Sequence, residues 1–177
     1  MKKTISIVLL FFFSFSFAQV KWMTIEDALK AQKEHPKKIL IDFYADWCGP
    51  CKIMDKKTYG HQVIADILNQ NYYPVRFNAE EKKPIKIFDR TFTNPNTEQK
   101  KGRNSLHEFT QFMNVAAVPS TVFLDEKGDP ITILQGELSA TELEPYLELI
   151  SNNLYKKIRS RDQWEDYQKK FKSKIKD

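Results

Sequence analysis

Cys48 and Cys51, separated by two residues, are the only cysteines of the chain. They follow the apolar run Lys38 to Tyr44, which is typical of a strand buried on both faces, and Pro50 suits the first turn of a helix. The Cys48 sulfur would lie at the helix N-terminus, where free N–H groups favour the thiolate, with Cys51 one turn away. The pattern predicts thiol–disulfide chemistry, with Cys48 as the exposed nucleophile and Cys51 sheltered.

Two other roles for this cysteine pair fit the sequence less well. A disulfide between residues three apart closes almost no loop, so it would constrain the unfolded chain very little. A zinc site would need two more ligands, and the only histidines, His35, His61 and His107, are widely spaced. We therefore expect no metal and no cofactor besides the redox-active pair, and we expect His35 and His107 to lie at the surface.

The composition and the first residues limit the class of protein. The chain has 177 residues, a formal net charge of +5 and 41% hydrophobic residues. This length and composition are typical of a single globular domain. Two lysines precede the apolar run Ile5 to Phe17, and Ser16 and Ala18 supply the small residues of a cleavage site. The run is shorter than the ~20 residues of a membrane-spanning helix. We predict a signal peptide at residues 1–18, one domain at 19–177, and a bacterial protein that is exported to the periplasm or secreted.

Apolar periodicity and capping residues predict the order helix, strand, helix, strand, helix, strand, strand, helix. Thr24 and Ser139 begin two of the helices, and a break is expected near Gly60. The runs Thr121 to Leu124 and Ile131 to Leu134 flank a charged turn and predict an antiparallel pair. The predicted fold is α/β, with a central mixed β-sheet flanked by helices on both faces.

Two segments lie outside this pattern. Residues Ala79 to Asn104 form a long charged insertion, which we expect to be mobile or to select substrates, with a small hairpin around Asp89-Arg90. A Ser-x-x-Glu capping box at Ser105 to Glu108 follows it.

The second segment, residues 151–177, predicts a helical extension. Its apolar residues recur at helical spacing, and its lysines lie largely elsewhere. These apolar residues are Trp164, Tyr167, Phe171 and Ile175. The extension is expected to pack on the domain; contact of its basic face with an anionic membrane surface or an acidic partner is the alternative. Nothing in the chain is typical of a nucleic-acid-binding module.

The run from Ile39 to Lys52, Ile-Leu-Ile-Asp-Phe-Tyr-Ala-Asp-Trp-Cys-Gly-Pro-Cys-Lys, resembles the active-site strand and turn of thioredoxins. The run Val118 to Thr121, Val-Pro-Ser-Thr, resembles the cis-proline loop of that fold, and Gly136 stands where the family keeps a glycine. The resemblance implies a thioredoxin-like fold with an insertion before the cis-proline loop and a C-terminal helical extension. It is strongest to exported bacterial members of the superfamily.

The resemblance also implies roles for individual residues. Cys48 would attack a substrate disulfide, and Cys51 would resolve the mixed disulfide. Asp42 stands where the family has a buried acid and would exchange the proton of Cys51; the alternative is a strand residue that faces solvent.

The substrate would meet the residues around the cysteines. Trp47, Gly49 and Pro50 would contact it, although Trp47 could instead serve core packing. Val118 would pair with the peptide backbone beside Pro119, whose peptide bond is expected to be cis, or trans if the proline merely starts a strand. Trp47, Val118 and Gly136 would border one shallow apolar surface.

The function implied is that of an exported reductase of protein disulfides, served by a membrane or periplasmic electron donor. Oxidising and isomerising relatives usually carry a histidine where Pro50 stands, and its absence favours a more reducing pair. The alternatives are a binding or chaperone module, a disulfide isomerase, and a reductant for cytochrome c maturation.

Overall fold

The computed structural model of the protein describes residues 19–95 and 105–176. The predicted signal peptide at residues 1–18 lies outside the described residues. Within the described ranges, no helix has the length and apolar character needed to cross a membrane.

The elements follow the order that the sequence predicts. In chain order they are α1 (Ile25–Glu34), β1 (Lys38–Tyr44), α2 (Gly49–Met54), a π-helical turn (Asp55–Tyr59), α3 (Gln62–Asn71), β2 (Tyr72–Asn78), β3 (Ile85–Ile87), β4 (Arg90–Phe92), α4 (Glu108–Phe112), β5 (Ser120–Leu124), β6 (Pro130–Gln135), α5 (Ala140–Ser151), a 3₁₀ turn (Leu154–Lys157) and α6 (Arg161–Lys170).

A mixed sheet with the strand order β2-β1-β5-β6 forms the centre of the fold. β1 runs parallel to β2 and antiparallel to β5, and β5 runs antiparallel to β6. β1 is therefore an interior strand, and six of its seven residues are buried. This arrangement confirms the predicted central mixed sheet.

Each face of the sheet carries its own apolar cluster, because successive residues of β1 point to opposite faces. Ile39, Ile41 and Phe43 belong to the cluster shared with α1 and α4. Leu40 belongs to the cluster shared with α3 and α5. Asp42 has the same parity as Leu40, so its carboxyl enters the second, largely apolar, cluster.

Residues 79–95 differ from the predicted loose insertion. β3 and β4 form the predicted hairpin, with positive φ angles at Phe88 (51°) and Asp89 (53°), so the turn lies one residue earlier than expected. Ile85, Ile87 and Phe92 are buried in the first apolar cluster. This burial does not fit the expected mobile segment, because alternate hairpin residues face the core; the alternative, a role in selecting substrates, stays a prediction. The rest of the insertion, residues 96–104, lies outside the described residues.

The predicted capping box at Ser105 to Glu108 is wrong. α4 begins two residues later than a cap at Ser105 would require, and its N-cap is His107, whose Nδ1 accepts the Phe109 N–H at 3.1 Å. The Ser105 hydroxyl instead donates to the Asn94 side chain, and the Glu108 carboxylate accepts the Thr93 N–H.

The expected surface position of His107 is also wrong. Its side chain is fully buried, and that burial lowers the pKa of the imidazole. His35 is exposed, as predicted.

The C-terminal residues pack on α5. The Trp164 and Tyr146 rings stack at 4.5 Å between centroids, and the Tyr167 hydroxyl donates to the Pro145 carbonyl at 3.1 Å. α6 ends at Lys170, so the predicted continuation of one helical face to Ile175 is wrong. Ile175 still packs against the second apolar cluster, from the non-helical residues 171–176 that follow α6, here called the strap.

Candidate active site

Cys48 and Cys51 form a disulfide with an S–S distance of 2.08 Å at the start of α2. Cys48 is the N-cap of that helix, and its Sγ accepts the Cys51 N–H at 3.2 Å. Gly49 and Pro50 occupy the exposed first turn, where the missing N–H of proline leaves no helical bond unmade. The Cys48 sulfur therefore lies where backbone N–H groups stabilise a thiolate.

The sequence predicts that Cys48 is exposed and Cys51 is sheltered, but the two cysteines do not differ in this way. Cys48 is 2% exposed and Cys51 is 5% exposed, so the expected contrast between an exposed and a sheltered sulfur is wrong for the disulfide form. The physical reason is packing: Tyr44 and Val118 lie against the buried cluster formed by the two cysteines and Ala45. What separates the two sulfurs is their place at the helix N-terminus.

The Val118-Pro119 peptide bond is cis, as expected. β5 begins at the next residue, Ser120, which pairs with Phe43 near the end of β1, so the two residues stand beside the cysteine turn. The Pro119 carbonyl accepts the Gly136 N–H at 2.9 Å, and Gly136 has a φ of 97° that favours glycine.

A cavity of about 300 Å³ opens beside the cysteine cluster. Trp47 borders the cavity and is 46% exposed, so it does not serve core packing, the alternative that the sequence left open. Val118 belongs both to this lining and to the packing around the two cysteines. The residues that line the cavity are Trp47, Glu80, Leu106, Val115, Ala116, Ala117 and Val118. Gly136 is absent from this lining, so the prediction that Trp47, Val118 and Gly136 border one surface is wrong for Gly136, which instead donates its N–H to the Pro119 carbonyl.

Asp42 is 3% exposed, which excludes the alternative of a solvent-facing strand residue. Burial raises the pKa of its carboxyl from 3.8 to about 7. The Arg76 guanidinium opposes this rise in pKa, the nearby Asp55 carboxylate adds to it, and the Tyr59 hydroxyl, 3.4 Å from Asp42 Oδ1, lowers the pKa slightly. The Asp42 carboxyl can therefore gain or lose a proton near neutral pH.

Arg76 is held between two carboxylates and an aromatic ring. Its Nη1 donates to Asp55 Oδ1 at 2.8 Å, and its Nε lies 3.7 Å from Asp42 Oδ2. The guanidinium also lies over the Tyr44 ring, 4.6 Å from the ring centroid. This charge offsets part of the cost of keeping Asp42 and Asp55 close together.

The π-helical turn after α2 brings Asp55 and Tyr59 to this cluster. Gly60 caps its C-terminal end, and a Cβ atom there would lie 2.4 Å from the Lys56 carbonyl oxygen, so the backbone has room only for glycine. The predicted break near Gly60 is confirmed. Extra residues in such turns are frequent at functional sites.

Sequence reasoning missed several residues of the site: Asp55, Tyr59, Arg76 and Glu80. Arg76 carried a usable signal, because it is the one charged residue in the run Tyr72 to Asn78, which forms the strand beside β1. Glu80 carried none, because its position depends on the path of the chain after β2.

Among residues 19–95 and 105–176, no group of three or more histidine, cysteine or acidic side chains could hold a metal ion.

The family model of the thioredoxin-like domain matches residues 25–151. The thioredoxin-like protein YneN of Bacillus subtilis is 33% identical over 123 residues, which are 64% of this chain and 65% of YneN. The thiol:disulfide interchange protein DsbD of Photorhabdus laumondii is 25% identical over 138 residues, which are 76% of this chain and 20% of DsbD. The chain thus spans just under two thirds of the first relative and about a fifth of the second.

Solved structures share the fold. A thioredoxin-fold protein from Helicobacter pylori superimposes with a TM-score of 0.58 at 18% identity, covering 76% of this chain and 83% of the other. The DsbH oxidoreductase superimposes with a TM-score of 0.53 at 17% identity, covering 90% of this chain and 96% of the other. At these identities the likeness concerns the fold alone.

Proposed function

The chain belongs to the thioredoxin-like domain family, whose thiol–disulfide oxidoreductases work through a cysteine pair such as Cys48 and Cys51, and from this premise we propose that it is an exported reductase of protein disulfides. The observation that carries the proposal is the disulfide at the N-terminus of α2. Its Cys48 sulfur already accepts a backbone N–H from the helix.

The proposed reaction is a two-step exchange that starts from the dithiol form. The Cys48 thiolate attacks one sulfur of a substrate disulfide, so a mixed disulfide forms and the other substrate sulfur leaves as a thiolate that takes up a proton. The Cys51 thiolate then attacks Cys48 Sγ, which closes the intramolecular disulfide and releases the second substrate thiolate. Two electrons pass from the protein to the substrate, and a dithiol donor must reduce the Cys48–Cys51 bond again.

Asp42 is proposed to accept the proton of Cys51 when that thiol becomes a nucleophile. A base acts best when its pKa lies near the working pH, and the buried Asp42 carboxyl has a pKa of about 7. Asp42 lies on β1, the strand that leads into the cysteine turn.

The substrate is proposed to bind as an extended chain across Val118 and Pro119. Its backbone would pair with Val118, while Trp47, Gly49 and Pro50 form the rim around the disulfide. Their exposure supports this role, because Trp47, Gly49 and Pro50 are all open to solvent. Gly136 would act indirectly, by holding the Pro119 carbonyl in place.

The direction of the reaction is proposed from the residues between the cysteines. A histidine at the position of Pro50 would add positive charge near the Cys48 thiolate and stabilise the dithiol form. Without that charge the dithiol is less favoured, so the pair donates electrons more readily.

Export and a membrane or periplasmic electron donor complete the proposal. The predicted signal peptide at residues 1–18 supports export. The similarity to DsbD, named a thiol:disulfide interchange protein, supports an exchange partner of the same chemistry.

Insulin-disulfide reduction by purified protein, with dithiothreitol as the electron donor, tests the proposal. The wild type should accelerate reduction at least tenfold over dithiothreitol alone. Cys48→Ser should abolish the acceleration. Cys51→Ser, reduced beforehand and mixed with insulin after the dithiothreitol has been removed, should accumulate the mixed disulfide, detectable by mass spectrometry. Equal rates for the wild type and Cys48→Ser would reject the reductase. Refolding of scrambled ribonuclease without net reduction would favour an isomerase, and suppressed aggregation by Cys48→Ser would favour a chaperone.

A further inference from the structure

Resting on this proposed function, we propose that the cavity beside the disulfide selects substrates with a lysine or arginine next to the reacting cysteine. Glu80 is the residue that recognises the cation. The remaining lining holds the aliphatic stem of the same side chain.

The Glu80 side chain is fixed before any substrate arrives. Glu80 is the second residue after the end of β2, next to Ala79. Its backbone N–H donates to Asn78 Oδ1 at 2.9 Å. Its Oε1 accepts the indole N–H of Trp47 at 3.0 Å, and the residue is only 7% exposed. The carboxylate therefore meets a ligand without the loss of side-chain freedom that an exposed glutamate would suffer.

The other side chains that line the cavity, among the residues that the structure describes, are aliphatic or aromatic. Within the part of the chain that the structure describes, Glu80 is the one residue bordering the cavity that carries a charged group. A carboxylate surrounded by apolar side chains binds a cation more strongly than it would in water, because water does not weaken the attraction. Lysine and arginine match such a surface, since they combine an aliphatic stem with a charged end.

The place of the cavity determines which substrate residue enters it. Val118 contacts the cysteine cluster and also lines the cavity. A peptide whose sulfur meets Cys48 must cross Val118, so a side chain flanking the substrate cysteine lies over the cavity. The volume of about 300 Å³ has room for one long side chain and not for a folded domain.

Glu80 belongs to the segment Ala79 to Asn104 that the sequence marked as an insertion, and Leu106 lies two residues after the end of that segment. This segment therefore supplies the acid, which gives the insertion a role in substrate choice.

The test uses three peptide disulfides that differ only in the two residues flanking each cysteine: lysine, methionine or glutamate. Methionine matches the length of the lysine stem without its charge. The wild type should reduce the lysine peptide with a kcat/KM about tenfold above that of the methionine peptide, and the glutamate peptide should be slowest. Glu80→Gln should bring the ratio of lysine to methionine rates close to one, because the amide keeps the acceptor for Trp47 but loses the charge.

Glu81→Gln is the matched control, because Glu81 carries the same charge one residue away and its carboxylate accepts the N–H groups of Lys82 and Lys83 outside the cavity lining. It should keep the wild-type ratio. If Glu80→Gln does not fold, the wild-type ratio measured in 1 M salt replaces it and should fall several-fold, because salt screens the attraction.

The outcomes separate this inference from the proposed function. Equal wild-type rates for all three peptides, or a preference that survives in Glu80→Gln, would overturn the selection of cationic substrates while insulin reduction still stands. Failure to reduce both the peptides and insulin would overturn the two together.

Discussion

Arg76 lies beside Asp42 in the parallel register of β1 and β2, with 3.7 Å between Arg76 Nε and Asp42 Oδ2. The same guanidinium binds Asp55 at 2.8 Å, so one cation serves two carboxylates, one buried and one part-exposed. The pKa of Asp42 is therefore set by opposed causes: burial and Asp55 raise it, and Arg76 and the Tyr59 hydroxyl lower it.

Removing either neighbour should move the pKa of Asp42 in opposite directions. Arg76→Met removes the cation and should raise this pKa by about one unit. Asp55→Asn removes the competing anion, leaves Arg76 to Asp42 alone, and should lower the pKa by a similar amount. A ¹³C NMR titration of the Asp42 carboxyl in the reduced protein measures both changes. Asp89→Asn, in the exposed hairpin turn, is the control and should change nothing; shifts of the same sign in both test variants would contradict the model of opposed charges.

Asp42→Asn should stabilise the protein above neutral pH and slow its turnover. The folded pKa of about 7 exceeds the ordinary value of 3.8, so the folded state binds more protons between these values. The contribution of Asp42 to the stability of the folded state is therefore greatest below about pH 4. It declines as the pH rises through 7. The amide has no proton to lose, so urea unfolding should show a gain on the order of a few kcal/mol at pH 8 and much less at pH 5.

The rate measurement separates this stability effect from the proton transfer. Resolution of the mixed disulfide by Cys51 should be slower in Asp42→Asn, on the order of 10²-fold, with the wild-type dependence on pH around 7 lost. Wild-type rates across pH 6 to 9 would show that Asp42 serves only the fold.

The sequence predicted the parts of the site that depend on local pattern. The cysteine spacing, Pro50 and the apolar run of β1 predicted the disulfide at a helix N-terminus, because each acts within a few residues. Asp42 was identified from its position in the same strand together with the resemblance to thioredoxins. Tyr59 and Glu80 were not, because their positions depend on a π-helical turn and on the path of the chain after β2, which no local pattern encodes.

His107 shows why exposure was the weakest prediction. The histidine is polar and lies at the start of a short helix, which favours a surface position. The segment 79–95, which contains the hairpin β3-β4 and Asn94, packs under α4. The His107 side chain is enclosed as a result. The packing of segment 79–95 against α4 joins parts of the chain that are distant in sequence, so a local pattern around His107 does not predict it.

The hairpin β3-β4 should be part of the folded core and not a movable flap. Phe92 is fully buried and its ring contacts Phe109 at 5.7 Å, so Phe92→Ala should cost about 3–5 kcal/mol of unfolding free energy. Lys86→Ala, on the exposed side of the same hairpin, should change the free energy by less than about 0.5 kcal/mol. Urea unfolding checks both values. A cost below about 1 kcal/mol for Phe92→Ala would restore the sequence-based expectation of a loose segment.

The C-terminal helix should stabilise the domain and leave lipid untouched. Its aromatic side is occupied: Trp164 stacks on Tyr146, and the strap after the helix is held where the buried Glu144 carboxylate accepts the Lys174 N–H at 2.7 Å. The apolar groups that would enter an anionic membrane are therefore already packed against α5. Trp164→Ala should lower the unfolding free energy by about 2 kcal/mol, less than for a fully buried ring because Trp164 is half-buried. Lys169→Ala, on the exposed side of α6, should be neutral.

Sedimentation with vesicles of phosphatidylglycerol and phosphatidylcholine completes this test. The wild type should remain in the supernatant at physiological salt, because lysines without inserted apolar side chains bind an anionic surface weakly and salt screens that attraction. Co-sedimentation of the wild type that is lost in Trp164→Ala would mean that α6 leaves α5 and inserts its aromatic side into lipid. Loss of stability without any vesicle binding would identify the helix as a part of the fold that covers α5.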